Sequence, residues 1–226
     1  MHVTVVIAAY NEAKVIGDVV KDLQKHGYTD IVIVDDGSKD ETGARAEKAG
    51  ATVLRHIINR GQGAALRTGM QYALTHGADI IVTFDADGQH QAKDIKLLIT
   101  PIIEGKTQAV LGSRFLENAT TEMPWHRRLL LKGSILVQYL FYGIKLSDAH
   151  SGLRALHHDA AAKINLRSDR MAHSHEFAEQ IHRNRISYME VPIHVRYTEY
   201  ALRKGHGSYK TAFRILIDMI KDKIVR

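Results

Sequence analysis

Two carboxylates, Asp85 and Asp87, follow the apolar run Ile80-Ile81-Val82-Thr83-Phe84. A strand that ends on such a pair can aim both side chains at one cation once the chain turns. Mg²⁺ takes oxygen ligands, commonly one or two carboxylates completed by substrate phosphates. An ion held this way neutralises a leaving diphosphate and keeps it in place. Asp and Gly also make ordinary solvated turns. What favours chemistry here is the company of other polar clusters at comparable places.

Asp35-Asp36-Gly37-Ser38 follows Ile31-Val32-Ile33-Val34. An Asp at a strand end can accept from a base N–H or a ribose hydroxyl. Ser38 or Asp40 can cap the next helix, but capping does not require the Asp35-Asp36 pair. Asn59-Arg60-Gly61-Gln62-Gly63 opens a helix, where glycine backbone suits a phosphate or the close approach of a ligand. It lacks both the dinucleotide and the P-loop glycine patterns, so an ordinary loop stays open as a reading. His173-Ser174-His175-Glu176 has no H-E-x-x-H spacing, and among 14 histidines a chance cluster is expected, so we read no zinc there.

The elements that would position these groups alternate along the first half. Residues 3–9, 30–34, 51–55, 79–84 and 109–112 read as strands, nearly continuous in Val, Ile and Ala, as strands buried on both faces are. Residues 12–26, 40–49, 62–76 and 92–104 read as helices, followed by Gly27, Gly50, Gly77 and Gly105 where a left-handed residue ends a helix. Alternation implies an α/β fold with a mostly parallel sheet flanked by helices. Ligands then bind beyond the carboxyl ends of the strands, where the polar clusters lie. The second half offers an apolar stretch over 129–146, too interrupted for a confident membrane span. A helix around 176–185, a strand or two over 186–196, a basic loop over 197–208 and a terminal helix follow. No repeat or Pro-rich linker divides the chain, and we read 1–226 as one domain.

The 226 residues suffice for a sizeable core, and 45% hydrophobic with 25% charged residues is the balance of a soluble globular protein. The absence of cysteine leaves no disulfide framework or Cys zinc site and suits a reducing compartment. The first residues carry no basic segment or cleavage site, so no signal peptide is read. Asn118-Ala119-Thr120 is taken as a chance sequon. The formal charge of +6 suits phosphate-bearing ligands or an anionic membrane surface. Lys and Arg are spread out with no aromatic RNA-binding signature, so nucleic acid is set aside.

Six motifs in order carry a family resemblance. They are Ala9-Tyr10-Asn11-Glu12, Val34-Asp35-Asp36-Gly37-Ser38-Lys39-Asp40-Glu41-Thr42, Asp85-Ala86-Asp87-Gly88-Gln89-His90, Gly112-Ser113-Arg114-Phe115, Ser151-Gly152-Leu153-Arg154 and Glu190-Val191-Pro192-Ile193. Together they resemble family 2 glycosyltransferases of the GT-A fold, and their order resembles the dolichyl- and polyprenyl-phosphate mannose (hexose) synthases. The likeness spans roughly residues 1–210. It implies a nucleotide-sugar-binding half over 1–115 and an acceptor-side half over 116–210. Beyond it, 211–226 reads from its own pattern, apolar on a broad face with Lys and Arg between, as a terminal amphipathic helix that suits a membrane surface or packing on the domain.

The resemblance also implies roles. Ala8, Tyr10, Glu12, Val34 and Asp36 match positions that hold the nucleoside; the family often has Pro where this chain has Ala8. Asp85, Ala86 and Asp87 match the nucleotide-sugar and metal loop, and Gln89 a further ligand to Mg²⁺ or Mn²⁺. Arg114 matches an arginine near the reacting phosphates and Arg128 one on the acceptor side; with Asp87 they form the expected catalytic set. Arg203, Lys204 and Ser208 are candidates for the diphosphate in a basic loop whose spacing departs from the family's, with Arg196 as the alternative.

The acceptor follows from what can attack an anomeric carbon. A hydroxyl needs a general base, for which Glu176 is the candidate. A phosphate monoester, with a second pKa of about 6, is already an oxyanion at neutral pH and needs cations instead. Arg114, Arg128 and Lys132, followed by the apolar stretch, suit a polyprenyl phosphate; a buried core helix is the other use of that stretch. Direct attack would invert the anomeric centre. The expected enzyme takes a UDP- or GDP-sugar and works peripherally at the cytoplasmic face of the membrane, alone or with a separately encoded membrane protein. Transfer to a sugar hydroxyl, a nucleotidyltransferase and an inactive nucleotide-sugar-binding subunit are the rival readings.

Overall fold

Runs of Val, Ile and Ala form a sheet that is covered on both faces. The computed structural model describes residues 1–119, 143–144, 146–148, 151–170 and 172–196. Its strands are β1 (Val3–Ala9), β2 (Ile31–Asp35), β3 (Thr52–Arg55), β4 (Ile80–Asp85), β5 (Ala109–Ser113), β6 (Arg154–His157) and β7 (Tyr188–Pro192). They make one seven-stranded sheet in the order β3-β2-β1-β4-β6-β5-β7. The ladders β1–β2, β1–β4, β2–β3 and β5–β7 are parallel. Only β6 runs the other way, antiparallel to β4 on one side and β5 on the other. The expectation of a mostly parallel α/β sheet therefore holds.

Period-two alternation sends successive side chains to opposite faces. Val5 and Ile7 of β1 join one buried cluster with Ile16, Val20 and Leu23 of α1 (Ile16–Lys25), Ala46 of α2 (Thr42–Lys48) and Leu98 of α4 (Ile95–Ile103). Val6 joins the other, with Leu66 and Met70 of α3 (Gln62–Thr75), Ala160 of α5 (His158–Lys163) and Phe177 of α6 (His173–Arg183). Burying one Val or Ile fully is worth roughly 1.5–3 kcal/mol, so β1, β2 and β4 supply most of the frame.

The edges of elements differ from the sequence expectation where side chains intervene. The first helix begins at Ile16, because Asn11 has a positive φ of 54° and the Glu12 N–H donates to Thr42 Oγ1 at 2.8 Å. The helix expected over 92–104 opens as a 3₁₀ turn, Ala92–Asp94, before α4. Strand β6 was not expected, since Arg154 and His157 break the apolar pattern. Gly27, Gly50, Gly77 and Gly105 all take positive φ after their helices, as placed. The apolar stretch lies outside the described residues except for Gly143, Ile144 and Leu146, and the basic loop and terminal helix lie wholly outside. Among the described residues, no helix is long and apolar enough to cross a membrane.

Candidate active site

The parallel strands β1, β2 and β4 deliver their polar ends to one side of the sheet, with Ala8 paired to both Val34 and Asp85 in the ladders. Asp85 is held from three sides. Its Oδ2 lies 3.0 Å from His90 Nε2, and its Oδ1 accepts from Gln62 Nε2 at 3.2 Å. Gly152 packs against the same carboxylate: a Cβ built there would stand 2.3 and 2.4 Å from its two oxygens. Burial pushes the Asp85 carboxyl up. The His90 hydrogen bond and charge, with Arg154 and His173, outweigh burial and bring it to about 2.

Asp87 stands in the opposite environment. Burial raises its pKa, and the nearby charges of Asp85 and Glu12 raise it further, against a 3.0 Å hydrogen bond that it accepts from the Gln89 N–H. An anion made costly by its neighbours is one that a cation would relieve. The donors here are carboxylate and amide oxygens, the set that suits Mg²⁺ or Mn²⁺ rather than a soft metal. Among the described residues no group of three His, Cys, Asp or Glu could hold an ion unaided. Asp85, Asp87 and Gln89 together can supply only part of a coordination shell. Such a site fits an ion completed by substrate phosphates.

Asp36 is buried, and the protein uses its carboxylate. Oδ1 meets His56 Nδ1 at 2.7 Å and the Arg60 N–H at 3.0 Å, and Oδ2 accepts from the Gly61 N–H at 2.7 Å. Asp36 thus fastens the loop at the start of α3. The glycines of that loop serve close backbone packing. A Cβ on Gly61 would stand 2.4 Å from the Asp169 carbonyl oxygen, and one on Gly63 would stand 2.0 Å from that of Ser168. The close approach read from this loop is therefore by residues 168–170. Val34 is buried with its side chain against α3, and Ala86 sits in the core, so both form walls. Tyr10 is 39% exposed at the end of β1, while Glu12 is buried beside the Asp87 loop.

Arg114 follows β5 and is gripped by Asp148. Nε donates to Oδ2 at 2.6 Å, Nη2 to Oδ1 at 2.7 Å, and the Arg114 backbone N–H to Oδ2 at 3.1 Å. Glu190 of β7 fixes that segment in turn, accepting from the Ser147 N–H at 2.9 Å and the Asp148 N–H at 3.3 Å. Burial raises the Glu190 pKa, with Asp148 adding to it and the Ser147 and Asp148 hydrogen bonds opposing. Arg154 is buried over the Phe177 ring, 4.5 Å from its centroid, and its Nη1 has no hydrogen-bond partner among the described residues. Burial lowers its pKa to about 10, while the charges of Asp85 and Asp148 hold it up. The order Arg114, Asp148, Arg154, Asp85 alternates charge from β5 to the carboxylate pair.

After β7 the chain lies along the loop beyond β4. The His194 N–H and Nδ1 meet Asp94 at 2.7 and 2.9 Å, and the Arg196 N–H donates to the Gln89 carbonyl at 2.9 Å. Arg196 is thus beside the candidate metal loop, with Nη2 donating to Gln91 Oε1 at 3.3 Å. Glu176 is buried, and its Oε2 accepts from the Arg167 and Ser168 N–H groups at 2.8 Å each, so it organises the loop before α6. Arg128, Lys132, Arg203, Lys204 and Ser208 lie outside the described residues. Sequence reasoning missed Asp148, Gln62 and the positioning roles of His90, Gly152 and Arg154. His90, Gly152 and Arg154 stood inside motifs already singled out, whereas Asp148 carried no local signal.

The model of the family described as glycosyl transferase family 2 matches residues 4–164. A UDP-N-acetylglucosamine–dolichyl-phosphate N-acetylglucosaminyltransferase of Methanococcus voltae is 35% identical, covering 94% of this chain and 94% of its own. A polyprenol monophosphomannose synthase of Mycolicibacterium smegmatis is 30% identical over 79% of this chain and 71% of its own. The crystal structure of a glucosyl-3-phosphoglycerate synthase of Mycobacterium tuberculosis superposes with a TM-score of 0.68 at 20% identity, over 97% of this chain and 78% of that one. That likeness bears on the fold, which is the GT-A arrangement expected.

Proposed function

The chain belongs to glycosyl transferase family 2, and on that premise we propose that it moves a sugar from a nucleotide-diphosphate donor to a polyprenyl phosphate at a membrane surface. The observation that carries this reading is that Arg114, held rigid by Asp148, follows β5 at the same end of the sheet as the oxygen donors Asp87 and Gln89 after β4. The relatives named for dolichyl-phosphate and polyprenol phosphate chemistry support the same acceptor class.

The donor's nucleoside would lie at the ends of β1 and β2, against Tyr10, with Asp36 holding the α3 loop beneath it. Asp87 and Gln89 would hold Mg²⁺ or Mn²⁺, which supplies charge neutralisation for the leaving diphosphate. Asp85, ionised and bound by His90 and Gln62, fixes the turn that presents Asp87. Arg114 offers a guanidinium whose orientation is set before substrate arrives, which lowers the reorganisation needed at reaction. An acceptor phosphate monoester is ionised at neutral pH, so no side chain has to remove a proton. Its oxygen attacks the anomeric carbon as the diphosphate departs, inverting that centre. The engagement of Glu176 Oε2 by two backbone N–H groups favours this over a base-dependent hydroxyl acceptor.

The test is incubation with a labelled UDP- or GDP-sugar and polyprenyl phosphate, with and without a chelator. Label entering the lipid fraction only when divalent metal is present supports the reading. Label released as free sugar alone would reject it.

A further inference from the structure

The loop leaving β3 carries two isoleucines turned to solvent: Ile57 is 99% and Ile58 68% exposed. Their neighbours hold them out. His56 is pinned between Asp36 and Thr68, at 2.7 and 3.0 Å. Beyond the pair, the Arg60 and Gly61 N–H groups bind the Asp36 carboxylate. Beneath them, Gly37 lies so close that a Cβ there would stand 2.7 Å from the Ile58 carbonyl carbon. The loop is thus fastened at both ends with its isoleucines exposed.

Three cations flank them, with Asp169, Asp40 and Glu41 as the nearby acids. Arg55 and Arg60 flank the pair with side chains 66% and 47% exposed, and Lys39 is exposed two residues beyond Gly37. The ion pairs of the two arginines are long, 3.6 Å to Asp35 and 3.6 Å to Asp169. Because β3 runs parallel to β2, this tip stands at the same end of the sheet as Asp36 and Asp87.

We infer that Ile57 and Ile58, flanked by Arg55, Arg60 and Lys39, form a membrane-contact tip that inserts its apolar pair into an anionic bilayer and turns the donor site towards the lipid surface. An apolar tip ringed by cations matches a surface with an acyl interior and anionic headgroups. The inference rests on the membrane-borne acceptor proposed above, and it names the surface that meets the membrane.

The test is flotation of the full chain with vesicles of phosphatidylglycerol and phosphatidylcholine in equal amounts. The wild type is expected to float, and Ile57→Ser/Ile58→Ser to partition on the order of tenfold less. The same variant is expected to keep its circular dichroism and its turnover on a short-chain, water-soluble polyprenyl phosphate. Flotation equal to the wild type, no flotation of the wild type, or loss of turnover on the soluble acceptor would each overturn the inference. If flotation depends on the two isoleucines but no sugar reaches any polyprenyl phosphate, the surface stands and the acceptor assignment falls.

Discussion

Arg114 and Asp148 meet in a two-pronged ion pair, Nε to Oδ2 at 2.6 Å and Nη2 to Oδ1 at 2.7 Å, with the arginine side chain 10% and the aspartate 1% exposed. Residues 34 positions apart in sequence are thereby locked at the mouth of β5. Asp148 also helps to keep Arg154 charged in the core. Asp148→Asn leaves both guanidiniums without that carboxylate. Breaking a buried pair from one side costs about 3–5 kcal/mol, so a clear fall in denaturation midpoint is expected. Turnover should fall more than donor affinity, read as kcat against the donor Kd. A variant as stable and active as the wild type would remove Asp148 from the account.

Gly152→Ala tests the seat of Asp85. The added methyl would stand 2.3–2.4 Å from both carboxylate oxygens, inside contact distance. Overpacking of this kind costs about 1–3 kcal/mol, and the displaced carboxylate should loosen the turn that carries Asp87. Expected is a folded protein with kcat/KM down by on the order of 100-fold. Unchanged kinetics would mean that the position of Asp85 does not matter.

The raised pKa of Asp87 gives a stability prediction with a definite sign. The folded state binds this proton more tightly than the unfolded chain does. The ionised carboxylate therefore costs stability above the unfolded value of 3.8, and the cost fades as pH falls through the raised folded value. Asp87→Asn should melt higher than the wild type at pH 7 without metal, and the gap should close in acid. The variant should lose the extra stabilisation that Mn²⁺ plus nucleotide-sugar gives the wild type. A variant that melts lower at pH 7, or keeps the metal-dependent gain, would contradict the assignment.

Glu176→Gln separates positioning from proton removal. Losing a general base costs about 10²–10⁴-fold in rate. Losing one charge from the Arg167–Ser168 anchor should cost about 1 kcal/mol of stability and less than about threefold in kcat. A rate loss in the base range with unchanged melting would favour a hydroxyl acceptor.

Much of this was legible in the sequence, for identifiable reasons. Strands such as Ile31–Asp35 are buried on both faces, so a continuous apolar run marked them. The Asp85-Ala86-Asp87 turn announced itself by following such a run. β6 was hidden because Arg154 lies inside the sheet, a charge that local pattern counts as surface. The hold of Asp36 on the α3 loop was not legible, because the partners it binds there, the Arg60 and Gly61 N–H groups, are 24 and 25 residues away. The difference between Asp85 and Asp87 was equally invisible, since it depends on His90, Arg154, His173 and Glu12 converging from distant parts of the chain.

The central claim is that the attacking group is a lipid-borne phosphate. It is tested most directly by offering labelled nucleotide-sugar with Mn²⁺ to equal amounts of a polyprenyl phosphate and the polyprenol of the same length in one reaction. The account predicts label on the phosphate lipid alone, through a new sugar–phosphate bond. Label on the polyprenol, or on an added oligosaccharide with none on the phosphate, would contradict it.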